Sequence, residues 1–306
     1  MTTSTSLPGP AAVAAAQATI APYIRHTPLL RAEVDGRPLV LKLEHLQLSG
    51  SFKLRGALTA LLGGDRPDHV VTASGGNHGL GVATAAGLLD LPATVYVPET
   101  VPESKARRIE QAGARLVRHG TTYAEAAAAA TDAATEPGAR YLPAYDHPDV
   151  IAGQGTVAAE VVAEAPDVDA VAIAVGGGGL AAGTALAAGG RTIVAVEPEH
   201  CDALHRALAA GEPVDSPVDS VAASALGATR VGDLPFAILS AAPVVSLLVT
   251  DDELLAARDR LWDEFRLLVE PAAAVPFAAW LAGRLPGELP CIVLCGANTD
   301  RWAPSP

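Results

Sequence analysis

The chain has 306 residues and can bury a large core, so we expect one large domain or two that share a cleft. Its formal net charge of −13 argues against a nucleic-acid partner, because phosphates require a cationic surface. Three cysteines without a C-x-x-C pair favour a reducing compartment, and we expect a cytoplasmic protein.

Two uncharged segments are long enough to require a membrane check. Residues 1–23 contain no Lys or Arg and are interrupted by prolines, unlike a signal peptide with its basic start. Residues 170–190 carry no charge, but their four consecutive glycines would break a spanning helix. We therefore expect no membrane association.

Short β-branched runs alternate with alanine-rich helical stretches along the chain. Strands are predicted at 38–44, 69–73, 93–97, 114–120, 141–145, 168–175, 191–197, 244–250 and 290–295. Helices are predicted at 52–62, 79–89, 104–114, 123–136, 150–165, 180–189 and 201–211, and another is capped by Thr250 with Glu253. This alternation predicts an α/β fold with mostly parallel strands, whose ligands lie beyond the carboxyl ends of the strands.

The first motif is SGSFKLRGA at residues 49–57, which follows a strand and begins a helix. The positive end of the helix dipole disfavours the ammonium form of Lys53, so its amine can be a nucleophile that forms an imine with an aldehyde cofactor. A lone lysine in such a place is usually a surface residue.

The second motif is SGGNHG at residues 74–79, again between a strand and a helix. Its backbone N–H groups suit a carboxylate, and Asn77 adds an amide for a neighbouring oxygen. An ordinary glycine-rich turn is the alternative. His78 has either an orienting or a catalytic role in this loop.

Two further motifs follow later strands. GGGG at residues 176–179 lets the backbone approach a phosphate, although an unliganded tight turn is the alternative. CGANTD at residues 295–300 ends the last strand, and Cys295 taken alone would be a buried apolar side chain.

These four segments, in this order, resemble fold type II pyridoxal-phosphate enzymes, in particular the serine/threonine dehydratase branch. DHPDVIAGQGTVAAE at residues 146–160 resembles a further signature of that branch. The resemblance covers residues 20–300. It implies two open, twisted, mostly parallel sheets flanked by helices, with the cofactor between two domains. Residues 1–65 and 144–306 would form the large cofactor-binding domain, and residues 66–143 a small domain that closes over the substrate.

The resemblance also implies the roles of individual residues. Lys53 holds the cofactor, Phe52 stacks near its ring, Asn77 contacts its phenolic oxygen, Gly176, Gly177, Gly178 and Gly179 bind its phosphate, and Cys295 lies beside its pyridine nitrogen. A neutral thiol there makes the ring a weaker electron sink, which favours elimination over transamination. Ser74, Gly75, Gly76, Asn77 and His78 would bind the substrate carboxylate.

Three features depart from relatives of this branch. Gly75 stands where racemases carry a serine that protonates the opposite face of the substrate. Glu197 matches one ligand of a cation site, but Ala203 replaces the expected aspartate and Asp202 is one position away, so we expect no metal. The chain ends soon after the last strand, so we expect no regulatory domain.

The resemblance predicts β-elimination on a 3-hydroxy-amino acid such as serine or threonine, giving a 2-oxo acid and ammonia, in a homodimer. A β-replacement transferase is disfavoured by Leu54 and His78, and a racemase by Gly75. A degenerate cofactor-binding protein is the non-enzyme alternative. Glu270 either lies near the ring or caps the next helix, and the Arg107–Arg108 pair is expected on a solvated helix face.

Overall fold

The computed structural model describes residues 7–299, whose strands form two sheets. The strands are Leu29–Val34 (β1), Arg37–Lys42 (β2), His69–Ala73 (β3), Ala93–Val97 (β4), Arg115–Arg118 (β5), Ala139–Tyr141 (β6), Ala170–Ala174 (β7), Thr192–Pro198 (β8), Val244–Val249 (β9) and Pro290–Val293 (β10).

Helices follow most of these strands. They are Pro10–Ile20 (α1), Lys53–Leu62 (α2), Asn77–Leu88 (α3), Glu103–Gln111 (α4), Tyr123–Ala133 (α5), Pro148–Glu164 (α6), Gly179–Ala187 (α7), Ala203–Ala210 (α8), Ala223–Leu226 (α9), Asp233–Ser240 (α10), Asp251–Phe265 (α11) and Pro271–Leu281 (α12), with short 3-10 helices at Ala21–Tyr23 and Glu44–Leu46. Within residues 7–299, no helix is both long and apolar enough to cross a membrane.

The larger sheet has the strand order β1-β2-β10-β7-β8-β9. β1 and β2 form an antiparallel hairpin, and the other neighbours pair in parallel. β10 lies between β2 and β7, where Cys291 aligns with Val40 on one side and Val171 on the other. Its residues are fully buried, as expected for a parallel strand covered by helices on both faces.

The smaller sheet has the order β5-β4-β3-β6, and all its strands are parallel. The predicted fold class of two mainly parallel sheets flanked by helices is therefore confirmed. The strands of this sheet lie within residues 69–141, inside the range 66–143 that the sequence assigns to a small domain. The division into two domains, with closure over a substrate, stays a prediction.

The four sequence motifs lie at or beyond the carboxyl ends of strands. Residues 74–76 join β3 to α3, residues 175–178 join β7 to α7, and residues 294–299 follow β10. The lysine motif follows β2 after the 3-10 helix at Glu44–Leu46. Parallel strands thus bring three of these segments to one edge of the larger sheet, where ligands of such folds bind.

Candidate active site

A cavity of about 470 Å³ lies at the carboxyl ends of β7 and β10 and the beginning of α2. It brings together the lysine motif, the tetraglycine turn, the terminal cysteine and Asn77 from the small sheet's side. The functional side chains and turn in its lining are Phe52, Lys53, Asn77, Tyr145, Gly176–Gly179, Glu270 and Cys295.

Lys53 is the first residue of α2, and its side chain lines this cavity. Its Nζ donates a hydrogen bond to the Ala144 carbonyl oxygen at 2.8 Å and lies 5.2 Å from the centre of the Phe52 ring. Burial lowers the pKa of Lys53 to about 8, although the nearby Cys295 and Glu270 act in the opposite direction. A larger fraction of this amine is therefore neutral near pH 7 than in an ordinary lysine.

The segment before Lys53 is hydrogen-bonded to the segment after β10. The Phe52 N–H donates to the Cys295 carbonyl at 3.1 Å, and the Ala297 N–H donates to the Gly50 carbonyl at 2.9 Å. The Asn298 amide donates to the Ser49 carbonyl at 2.9 Å. The lysine and the cysteine, which are far apart in the sequence, are therefore held in fixed relative positions.

Asn77 begins α3, and both ends of its amide are engaged. Its Nδ2 donates to Glu270 Oε1 at 2.6 Å, and its Oδ1 accepts from Asn298 Nδ2 at 2.7 Å. An amide nitrogen carries two N–H donors, so a second one is available to a ligand oxygen. Burial raises the pKa of Glu270, and the hydrogen bond from Asn77 opposes this shift. Glu270 therefore orients Asn77, and its side chain makes no cap to α12.

The tetraglycine turn has no room for side chains. A Cβ at Gly177 would lie 2.3 Å from the Tyr145 ring, and one at Gly178 would lie 2.8 Å from the Pro235 Cβ. Gly178 has a φ of 89°, which favours glycine. The turn leads into α7, whose first N–H groups lack intrahelical partners. This cradle fits a phosphate, and Lys53 in the same cavity fits an aldehyde, so the residues present fit pyridoxal phosphate.

Cys295 follows β10 and is 4% exposed. Burial raises the pKa of its thiol far above the usual range, and Glu270 adds to the shift. Cys295 is therefore a neutral thiol at the wall of the cavity. Such a group cannot stabilise a proton on a pyridine nitrogen as a carboxylate would.

The predicted substrate loop lies beside a second cavity of about 320 Å³. Gly75, Gly76 and Asn77 line it, and it shares Asn77, Ala225 and Glu270 with the first cavity. Ser74 lines neither cavity; its Oγ accepts a hydrogen bond from the Gly76 N–H at 3.2 Å. The loop thus presents its backbone to the cavity, while Ser74 supports the turn from behind.

His78 also lines neither of these two cavities. Its Nε2 is 3.0 Å from the Leu142 carbonyl oxygen and 2.9 Å from Thr72 Oγ1, beneath the loop. Burial lowers its pKa to about 3, and Lys53 adds to this shift, so the imidazole is neutral. This geometry supports the orienting role of His78 and gives no support to direct substrate contact.

Lys105 and Arg108 line the second cavity from α4, although neither was predicted from the sequence as a site residue. The Arg107–Arg108 pair was expected on a solvated face; this holds for Arg107, which is exposed, and is wrong for Arg108. The three-residue spacing of Lys105 and Arg108 places them on one helix face, which is a signal the sequence does contain.

Glu197 is fully buried and lies beside the start of α8. It accepts hydrogen bonds from the Leu204 and His205 N–H groups at 2.9 and 2.8 Å, and burial raises its pKa to about 8. Asp202 is engaged with Arg206 and Ser216. Among residues 7–299, no group of three or more His, Cys, Asp or Glu residues could hold a metal ion. The Glu197 carboxylate satisfies two N–H groups in the first turn of α8.

Known proteins share both the sequence and the fold. The family model for pyridoxal-phosphate dependent enzymes matches residues 20–296. The L-threonine ammonia-lyase of Geobacter sulfurreducens is 38% identical over 291 residues, which cover 90% of this chain and 72% of the relative. The L-threo-3-hydroxyaspartate ammonia-lyase of Saccharomyces cerevisiae is 34% identical over 291 residues, which cover 91% of this chain and 89% of the relative.

A solved structure extends this likeness to three dimensions. A threonine deaminase from T.th. is similar with a TM-score of 0.91 at 36% identity, covering 97% of this chain and 100% of that one. Together with the lysine, tetraglycine and cysteine that line one cavity, these findings show that the chain belongs to the pyridoxal-phosphate dependent enzymes, in the serine/threonine dehydratase family of fold type II.

Proposed function

We propose that the protein catalyses β-elimination from a 3-hydroxy-amino acid and releases a 2-oxo acid and ammonia. The observation that carries this proposal is the single cavity lined by Lys53, Asn77, Gly176–Gly179 and Cys295. A relative with 38% identity is named a threonine ammonia-lyase, so threonine and serine are the first substrates to test.

These same residues would hold the cofactor. Lys53 would bind its aldehyde carbon through Nζ, the turn at Gly176–Gly179 its phosphate, Asn77 its phenolic oxygen, and Cys295 would face its ring nitrogen, with Phe52 against the ring. Bound pyridoxal phosphate supplies an electron sink conjugated to the substrate amine. Because the Cys295 thiol is neutral, that sink is weak, which favours rapid loss of a β-substituent over transamination.

Lys53 would act as the base. Its amine has a pKa lowered to about 8 by burial, and the hydrogen bond to the Ala144 carbonyl fixes its direction. A neutral amine held in this way can accept the proton from the substrate Cα. Elimination requires one such base on one face of the substrate, and Lys53 is sufficient for it.

The loop at residues 74–78 would bind the substrate carboxylate through its backbone. Gly75, Gly76 and the N-terminal turn of α3 offer N–H groups to an anion, and the helix dipole adds to the attraction. Ser74 and His78 would hold the loop in place through their contacts with Gly76 and Leu142. These two residues would thus act by positioning the loop.

The first experiment measures 2-oxo acid release from both enantiomers of serine and threonine. We expect turnover with the wild-type protein and its loss in Lys53→Ala. An inactive cofactor-binding protein would give no 2-oxo acid with any of these substrates.

Borohydride reduction followed by peptide mass spectrometry then locates the cofactor. The chain has lysines only at positions 42, 53 and 105, so the assignment is simple. We expect the label on Lys53, and Lys105→Ala should retain it as the matched control. A label on another lysine, or wild-type turnover by Lys53→Ala, contradicts the assignment.

We also propose that the protein is a cytoplasmic homodimer. Its three cysteines are buried and free, which suits a reducing compartment. The homodimer rests on the family resemblance. Sedimentation equilibrium tests it, with an expected mass twice the 31.0 kDa of the chain.

A further inference from the structure

The chain contains only two asparagines, and their side-chain amides are hydrogen-bonded to each other. Asn77 begins α3 and Asn298 follows β10, yet Asn298 Nδ2 donates to Asn77 Oδ1 at 2.7 Å. Asn77 lines both cavities, whereas Asn298 lines the second one. Asn298 can therefore affect a cofactor in the first cavity through its contact with Asn77.

The Asn298 amide joins two of the sequence motifs. An amide nitrogen carries two N–H donors. In Asn298 one of them is directed to Asn77 Oδ1, and the other to the Ser49 carbonyl oxygen at 2.9 Å. Ser49 belongs to the lysine motif, and Asn77 belongs to the asparagine loop. The segment after β10 is thus bonded to both motifs through one side chain.

Glu270 completes a ring of hydrogen bonds with the two asparagines. Asn77 Nδ2 donates to Glu270 Oε1 at 2.6 Å, and the Asn298 backbone also bonds to the Glu270 carboxylate. Gly296 leaves room for this ring, because a Cβ there would clash with Glu270 Oε1. The three residues come from three distant segments of the chain, and each contacts the other two.

This ring allows one orientation of the buried Asn77 amide. Asn298 Nδ2 is a donor and the Glu270 carboxylate is an acceptor, so Asn77 presents its oxygen to the first and its nitrogen to the second. A half-turn of the amide would place donor against donor and oxygen against oxygen. Such unpaired buried groups are costly. The second N–H of Asn77 Nδ2 therefore keeps a fixed direction.

We propose that Asn298 is a positioning residue, which keeps Asn77 as a hydrogen-bond donor to the phenolic oxygen of the cofactor. A donor stabilises negative charge on that oxygen, whereas a reversed amide would turn its own oxygen toward it and repel it. This inference rests on the proposed cofactor site and adds a residue to it. Its test measures cofactor binding and is separate from the test of elimination.

The test compares two cofactors that differ only at the phenolic oxygen. Apoprotein prepared from the holoenzyme is titrated with pyridoxal phosphate and with 3-deoxypyridoxal phosphate, in which hydrogen replaces the hydroxyl, and absorbance gives each Kd. The ratio of the two Kd values measures the preference for the oxygen. Asn298→Asp replaces the donor with an oxygen and favours the reversed Asn77 amide, so this preference should fall about tenfold to a hundredfold. Asn298→Ser, which adds no charge, should lower it less.

A double-mutant cycle shows whether Asn298 acts through Asn77. Asn77→Ala removes the donor itself, and the addition of Asn298→Ser should then cause no further change in the preference. Thr299→Ala is the matched control. Thr299 is the next residue in the same segment and bonds to Ala297 and Arg108 through its backbone. This variant should therefore keep the wild-type preference.

Three results would overturn the proposal. An equal loss of affinity for both cofactors in Asn298→Asp and Asn298→Ser would indicate a general effect on the fold. A preference that Asn298→Ser lowers equally with and without Asn77 would show that Asn298 does not act through Asn77. A wild-type preference in Asn77→Ala would show that Asn77 does not contact the phenolic oxygen. Elimination activity that accompanies any of these results would leave the proposed reaction intact.

Discussion

At the scale of single residues, the burial of Lys53 determines the pH at which its amine reacts. Only the neutral amine attacks an aldehyde, and burial lowers its pKa from 10.5 to about 8. The rate at which apoprotein captures pyridoxal phosphate should therefore rise with pH up to about 8 and level off above it. Stopped-flow absorbance between about pH 6 and pH 10 measures this rate. A rise that continues to about pH 10 would show that Lys53 behaves as an ordinary lysine.

We propose that Gly75 separates elimination from racemisation. Racemisation needs an acid or base on each face of the substrate Cα, and Gly75, at the position that would serve the face opposite Lys53, has no side chain. We expect one enantiomer to be consumed with negligible formation of its mirror image. Chiral chromatography at partial conversion measures this, and substantial mirror-image product from the unmutated protein would favour a racemase.

A second test places a serine at this position. Gly75 does not have a positive φ, but a Cβ there would lie 2.6 Å from Val101 Cγ2. Gly75→Ser alone should therefore be strained, whereas Gly75→Ser combined with Val101→Ala has the space that it needs. We expect measurable racemisation only in the double variant, with Val101→Ala as its control. Equal racemisation by Val101→Ala alone would show that the serine is not responsible.

At the scale of elements, a buried ion network joins the helix of Lys53 to its neighbours. Arg55 donates to Glu44 at 2.6 Å and to Glu160 at 2.7 Å, and Lys42 donates to Glu160 at 2.5 Å. All four side chains are at most 3% exposed, and two positive charges balance two negative ones. The network thus connects β2, α2 and α6. Arg55, its member on α2, lies two residues after Lys53.

Removal of one member should be costly because it leaves a buried charge without compensation. We expect Arg55→Met to lower the free energy of unfolding by about 3–5 kcal/mol. The control is Arg31→Met, which breaks the exposed Arg31–Asp167 pair and should cost much less, as exposed ion pairs generally do. Urea unfolding measures both. Similar decreases in the free energy of unfolding for the two variants would show that the buried network contributes no more to stability than the exposed ion pair.

The alternation of strands and helices could be predicted because most of the longer segments carry a pattern of apolar residues typical of a strand or a helix. The predicted capping box of Thr250 and Glu253 is confirmed. β1, α1, α9 and α10 were missed, and α12 was anticipated only as the helix that Glu270 could cap. The Asp35–Gly36 turn, with φ values of 53° and 70°, is a hairpin signal that would have revealed β1. α1 is nearly all small apolar residues, so its sequence carries no clear polar face.

A site residue could be predicted from the sequence where a short motif contains both the reactive group and the glycines or strand end that position it. Lys53, Cys295 and the tetraglycine turn are such cases, and the structure places them in one cavity. The spacing of Lys105 and Arg108 predicts that they share a helix face, but it does not predict that this face lies beside the Thr299 segment, which is distant in sequence. In the same way, the inward direction of His78 depends on Leu142, so its motif alone left two roles open.

At the scale of the whole molecule, the cofactor would connect distant parts of the chain. The residues that line the cavity come from distant segments, which include Phe52, Gly176 and Cys295. A ligand that binds only the folded state adds to its stability, by about 4 kcal/mol at a thousandfold excess over Kd. We expect removal of pyridoxal phosphate to lower the unfolding temperature, measured by calorimetry with and without cofactor. Lys53→Ala should show a smaller difference, and equal unfolding temperatures for apo and holo wild type would contradict the proposed site.

The position of β10 in the larger sheet has a consequence for synthesis on the ribosome. β2 and β7 flank a strand at Pro290–Val293, so their facing edges lack a partner until nearly the whole chain has emerged. The smaller sheet uses only residues 69–141 and can be completed by a nascent chain about half as long. Folding during translation should therefore begin with the smaller sheet, in the first half of the polypeptide. A product that ends before β10 would expose two open strand edges and would lack the Cys295 wall of the cavity.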